Sequence, residues 1–151
     1  MKPQDFITTI KDDAIVSAEQ SKIYASFSIA EAALESAWGS SMLAAQGHNL
    51  FGVKADKSWT GNTITFRTRE FLNGRWCFVS ALWRKYPSWI GCFTDHAEFL
   101  HHNKRYEKAF LAKSVEEFIV AIANAGYATD PLYASKIISI IKEHQLKSFD
   151  I

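Results

Sequence analysis

The stretch Ile29-Ala-Glu-Ala-Ala-Leu-Glu-Ser-Ala-Trp-Gly-Ser-Ser41 decides how this chain is read. It is alanine-rich and apolar, carries two carboxylates at Glu31 and Glu35, and reaches Gly39, the residue type that most readily closes a helix. On a period of about 3.6 residues, Ile23, Phe27, Leu34 and Trp38 share one stripe. Glu35 falls at the edge of that stripe, where a helix face meets a cleft rather than bulk water. Desolvation on such a border disfavours the charged form and raises a carboxyl pKa, as a general acid working near neutral pH requires. An ordinary helix-edge glutamate in water fits the same pattern, so this segment alone leaves the two readings even.

On the N-terminal side, Pro3 followed by Phe6, Ile7, Ile10, Ala14 and Ile15 predicts an amphipathic helix, and Ser21 to Trp38 predicts a second, longer one. On the C-terminal side, Ser40 to Gln46 suits a short third helix. Asn49-Leu-Phe-Gly-Val53 is a loop or short strand close enough in sequence to line the same cleft. From Thr63 to Tyr86 the period changes to two, and Asn73-Gly74 is a strong hairpin turn. With that turn Leu72 faces Arg75 and Glu70 faces Cys77, so Glu70 shares a sheet face with Ile64, Phe66, Val79 and Ala81. Glu70 is therefore a second carboxylate on an apolar face, or a solvated or arginine-paired one near the open end of the hairpin.

Beyond Pro87 the helical period returns, with Trp89, Ile90, Phe93, Ala97 and Leu100 on one stripe and a short helix over Tyr106 to Leu111. Ser114-Val-Glu-Glu117 is a capping box opening a helix to about Asn124, with Gly126 as its stop. Thr129-Asp130-Pro131 starts a last helix running to about Gln145. The fold class is α+β, mainly α-helical with one inserted β-hairpin.

At 151 residues the chain is expected to be a single domain, 1–151, with room for a proper core. A net charge of +1 supplies no footprint for nucleic acid or anionic lipid, and no apolar run reaches membrane-spanning length, so neither nucleic-acid binding nor membrane insertion is expected. The N-terminus lacks the apolar core of a signal peptide. Cys77 and Cys92 are expected as free thiols, and His96, His101 and His102 form no metal-ligand pattern.

Two carboxylates in apolar settings, one on a helix and one on a hairpin, suit glycoside hydrolysis. The motifs Ala32-Ala-Leu-Glu-Ser-Ala-Trp-Gly39, Asn49-Leu-Phe-Gly-Val-Lys54, Thr68-Arg-Glu-Phe71 and Ala125-Gly-Tyr-Ala-Thr-Asp-Pro-Leu-Tyr-Ala134 resemble those of the bacterial peptidoglycan glucosaminidases, glycoside hydrolase family 73. That family includes flagellar rod-associated hydrolases, autolysins and phage lysins. The resemblance follows the family's order from about Phe6 to the end. It implies a lysozyme-like fold, no metal and no organic cofactor, and peptidoglycan glycan strands as the partner of a monomeric enzyme. By the same resemblance Glu35 takes the general acid, Glu70 the hairpin glutamate that serves as base or electrostatic helper, and Tyr127 the tyrosine across the cleft that supports the substrate N-acetyl group.

The candidate substrate-binding residues are Asn49, Phe51, Trp59, Tyr86 and Tyr133. Asn49 serves a turn or an acetamido group. Trp59, in a polar stretch, stacks on a sugar or anchors its loop. Tyr86 and Tyr133 match aromatic positions of the family and equally suit the core, where Trp38 is expected. At Glu31 the family more often has glutamine. Two glutamates one turn apart repel, so Glu31 either helps Glu35 keep its proton or points away into solvent or a salt bridge, and the second is the expectation.

The expected reaction is endo-acting cleavage of the β-1,4 bond after N-acetylglucosamine, by Glu70-activated water with inversion or by the substrate acetamido oxygen with retention. The alternatives are a muramidase or lytic transglycosylase on the same glycan, and a non-catalytic glycan-binding module. The expected place of action is the bacterial cell wall, in the periplasm or outside the cell. A chain without a signal fits a phage lysin, a virion component, a secretion-system effector or a domain excised from an autolysin.

Overall fold

The computed structural model describes residues 1–150, apart from the side chains of residues 68–71. Helix α1 spans Pro3–Ser21, with proline in its first turn and Phe6, Ile7, Ile10 and Ala14 on its buried face. Lys22, in the left-handed conformation, ends it, and a short extended link leads into α2, Ala25–Ser36. The sequence predicted one helix from Ser21, but the chain must turn there to lay α2 against α1.

Every residue from Ala25 to Ala33 is buried, so α2 is the central helix rather than an amphipathic surface one. Its alanines and serines let α1, α6 and the C-terminal turn of the chain approach it from several sides. It ends at Ser36, short of the predicted Trp38, because Ala37, Trp38 and Gly39 all take positive φ. The Ser36 hydroxyl donates to the Ala32 carbonyl and accepts the Gly39 N–H, fixing that exit. Gly39 is required there, since a Cβ on it would stand 2.9 Å from the Phe6 ring. Glu35 is thus placed in the last turn of the central helix.

Helix α3, Met42–Gly47, is capped by the Ser41 hydroxyl. The hairpin pairs β1, Thr63–Leu72, with β2, Arg75–Arg84, in the predicted register, Leu72 opposite Arg75 and Glu70 opposite Cys77. Asn73 and Gly74 both have positive φ, as a two-residue hairpin turn needs. Ile64, Phe66, Val79 and Ala81 are half-buried on one face, whereas Arg67, Phe78 and Leu82 are exposed on the other. The loop at Val53–Ala55 pairs with the base of β2 and fastens the hairpin to the helical body.

The remainder is α4, Trp89–His102, a 3-10 helix over Lys104–Leu111, α5, Val115–Asn124, α6, Tyr133–Glu143, and a final 3-10 turn, Leu146–Phe149. The Ser114 hydroxyl accepts the Glu117 N–H as the capping box predicted. Asp130 caps the turn before α6, accepting the Leu132 N–H, so that helix starts at Tyr133. Phe27, Ile29, Leu100, Phe118 and Ile122 belong to the core, which the helices build around α2. Among the described residues, Cys77 and Cys92 form no disulfide.

Candidate active site

A cleft of about 290 Å³ opens beside the C-terminal half of α2. Glu31 and Glu35 line it from α2, Phe51 and Gly52 from the loop after α3, Arg84 from β2, Asp95 and His96 from α4, and Tyr127 and Tyr133 from the segment between α5 and α6.

Its floor is a hydrogen-bonded carboxylate. Glu31 is only 2% exposed. The Tyr127 hydroxyl donates to its Oε1 at 2.9 Å and the Tyr133 hydroxyl to its Oε2 at 2.5 Å. Burial pushes the Glu31 carboxyl up to about 7, against the pull of the Tyr133 hydroxyl, and the charge of Glu35 adds to the rise. Behind Tyr127 stands His96, with its Nε2 at 2.6 Å from the Tyr127 oxygen. Its ring stacks on Phe51 at 3.8 Å and is wholly buried, which lowers its pKa to about 3 and keeps it neutral. A neutral His96 with its proton on Nε2 donates to Tyr127, which donates to Glu31.

Glu35 stands one helical turn further along, open to solvent at the lip of the cleft. The surrounding walls still desolvate its carboxyl enough to raise its pKa. Among the described residues nothing forms a hydrogen bond or ion pair with it, which suits a group whose partner is the substrate. The opposite wall is ionic. Arg84 grips Asp95 through Nη1 at 3.0 and 2.8 Å, donates from Nε to the Lys54 carbonyl, and lies over the Trp59 ring. The Tyr86 hydroxyl donates to the same Asp95 carboxylate at 2.5 Å.

The structure brings Glu35, Phe51, Tyr127 and Tyr133 together around one cleft. Asn49, Trp59 and Tyr86 stand behind the wall. The Asn49 side chain is consumed by the backbone of Val53 and Arg84, and Trp59 donates to the Asn62 carbonyl beneath Arg84. Glu70 lies on β1 opposite Cys77, and its side chain is outside the described residues.

Glu31 corrects the sequence expectation. It points inward, because α2 is buried all round and the tyrosines that meet it come from 96 and 102 residues further along the chain. His96, Arg84 and Asp95 were also missed. A histidine beside Ala97 on the apolar stripe of α4 was the available signal, since a buried imidazole needs a partner. Among the described residues no three histidines, cysteines, aspartates or glutamates converge as a metal site.

Residues 11–146 match the family model described as mannosyl-glycoprotein endo-beta-N-acetylglucosaminidase. The chain is 38% identical over 144 residues to the peptidoglycan hydrolase FlgJ of Salmonella typhimurium, an alignment covering 93% of this chain and 46% of that protein. It is 36% identical over 152 residues to the exo-glucosaminidase LytG of Bacillus subtilis, covering 97% and 53%. The fold matches the catalytic domain of the autolysin Auto from Listeria monocytogenes with a TM-score of 0.88 and 33% identity, over 98% of this chain and 87% of that one. The chain spans about half the length of the curated relatives it matches.

Proposed function

The chain belongs to the glucosaminidase family of glycoside hydrolases, and from that premise we propose that it is an endo-β-N-acetylglucosaminidase of peptidoglycan. It cleaves the β-1,4 bond between N-acetylglucosamine and N-acetylmuramic acid and leaves N-acetylglucosamine at the new reducing end. The observation that carries this reading is Glu35, a carboxyl with a raised pKa and no protein partner among the described residues, at the lip of a cleft.

Glu35 gives its proton to the glycosidic oxygen as the bond to the anomeric carbon breaks, and water completes the hydrolysis at that carbon. Glu70, on the hairpin, is the candidate to activate that water. Tyr127 is the candidate to hold the acetamido group. Its hydroxyl spends its proton on Glu31 and one lone pair on His96, and its second lone pair remains to accept the substrate N–H. Phe51 and Tyr133 shape the cleft, while Asn49, Trp59 and Tyr86 hold its wall. The protein works as a monomer at the bacterial wall, in the periplasm or outside the cell. The small net charge supports a glycan rather than nucleic acid as its partner, and no described helix is long and apolar enough to cross a membrane.

The test is a short digest of purified peptidoglycan, reduced with borohydride and read by mass. Reduced N-acetylglucosamine ends are expected. Reduced muramic acid would make the enzyme a muramidase, anhydro ends a lytic transglycosylase, and absence of cleavage a binding module. The anomer first released separates inversion by Glu70-activated water from retention through the acetamido oxygen.

A further inference from the structure

A pyranose presents C–H groups on its faces and hydroxyls round its edge, so a cleft that holds one gains from a flat aromatic ring beside a hydrogen-bonding group. The aromatic residues expected to supply that ring are committed to the protein itself. Phe51 is 8% exposed and stacks on His96. Tyr86 and Tyr133 are each 3% exposed, with their hydroxyls on Asp95 and Glu31. Trp59 lies under the Arg84 guanidinium with the Tyr86 ring against it. A different ring remains: Phe99 lines the cleft and is 45% exposed.

A lone exposed apolar side chain is ordinary on a protein surface, and Val16, Leu111 and Val120 are such residues outside the cleft lining. Phe99 differs by its place and its support. It follows Asp95 by four residues and His96 by three on α4, so the three side chains share the helix face turned to the cleft. The buried Tyr106 ring packs against it with centroids 6.0 Å apart, and the same Tyr106 ring meets Tyr127 at 5.9 Å. Phe99 is thus one ring removed from the residue that is the candidate to hold the acetamido group. The Asn103 side-chain amide donates to the Phe99 carbonyl at 2.7 Å and pins the last turn of α4, which carries the ring.

We propose that Phe99 is a substrate-binding residue of the cleft, its ring the platform on which one pyranose of the peptidoglycan glycan strand stacks. This rests on the reading of the cleft as a glycan site. A sugar is the occupant because polar and apolar contacts stand side by side: Asp95, one helical turn before the ring and with 19% of its side chain open, is an acceptor for hydroxyls at the edge of the sugar whose face Phe99 covers. A stacking contact of this kind is made in the ground state as well as in the transition state, so its loss falls on KM rather than on kcat.

The experiment reads binding in the Glu35→Gln background by isothermal titration calorimetry, with a peptide-free tetrasaccharide of the peptidoglycan glycan as ligand. Adding Phe99→Ala is expected to weaken Kd about tenfold. Phe99→Tyr should stay near the Glu35→Gln parent, and Phe99→Leu should recover little, since it supplies apolar area without a flat ring. In the active enzyme, Phe99→Ala should raise KM on peptidoglycan by a similar factor. An unchanged Kd in Phe99→Ala, or full recovery with leucine, overturns the proposal. A loss confined to peptide-bearing fragments also overturns it, and assigns the ring to the stem peptide. If Phe99→Ala does not fold, NMR of the Phe99 ring in the Glu35→Gln chain decides: resonances that move on titration with the tetrasaccharide support the platform, and unmoved ones overturn it. Failure of the underlying reading is distinct. If the Glu35→Gln parent itself does not bind the glycan, the reading of the cleft fails and the platform with it, whereas equal binding by parent and Phe99→Ala removes the platform alone.

Discussion

Glu31 and Glu35 are one helical turn apart on α2 and live in different solvents, one beneath two phenols and one at the lip of the cleft. Removing the outer one is the direct test of the chemistry. Glu35→Gln is expected to cut kcat by about 10²–10⁴-fold with an unchanged melting temperature, measured on purified peptidoglycan and by circular dichroism. The buried Glu31 and His96 also set how stability follows pH. Glu31 binds its proton more tightly in the folded state, up to about 7 from an ordinary 4.5, so its contribution to stability is present below that ordinary value and is lost as pH rises towards 7. His96 acts in the opposite sense. Its pKa falls to about 3 on folding, so the stability it contributes is full above its ordinary value near 6.5 and is lost as pH falls through 3. Melting temperatures from pH 3 to 8 should therefore lose the rising acid limb in His96→Gln and the falling neutral limb in Glu31→Gln. Glu35 was legible in the sequence because a stripe edge is a local property. Glu31 was not, because its burial depends on Tyr127 and Tyr133, which no period along α2 can announce.

At the scale of elements, the hairpin was legible to the residue and the ends of α2 were not. A two-residue turn such as Asn73-Gly74 fixes register by itself, so Glu70 faces Cys77 as soon as the turn is recognised. The exit of α2 instead uses three positive-φ residues in a row, two of them not glycine, held by Ser36 and by contact with α1. Propensity placed the stop at the glycine and missed that the helix unwinds before it. The two glycines therefore differ in what they do, and substitution separates them. Gly74, with φ +77 and nothing within 4 Å of a built Cβ, risks only backbone strain, so Gly74→Ala should cost about 1–2 kcal/mol. Gly39 has the same φ and the Phe6 ring at 2.9 Å, so Gly39→Ala should cost clearly more in urea unfolding, because α1 must also shift. The reverse order would show that the exit of α2 is softer than its packing implies.

On the scale of the whole molecule, the helix that carries the chemistry is also the one on which the fold converges, and one contact ties the far end of the chain to it. The Asp150 carboxylate accepts the Ser26 N–H at 2.9 Å and the Ser26 hydroxyl, in the first turn of α2. Tyr24, at the N-cap, supplies no side-chain acceptor, so this end of α2 has orphan N–H groups that a local residue leaves unmet. A carboxylate also complements the positive end of the helix dipole. No local pattern announces it, because a cap normally sits beside its helix and this one comes from 124 residues away. Asp150→Ala should lower the unfolding free energy by about 1–2 kcal/mol. Glu31 and Glu35 lie about one and a half and two and a half turns beyond the capped Ser26, inside a helix gripped along its length by the core. The rate constant for peptidoglycan cleavage at a temperature well below melting should accordingly stay near wild type while the melting temperature falls. A large loss of kcat with little loss of stability would mean that the cap sets the position of the carboxylates as well as the strength of the fold.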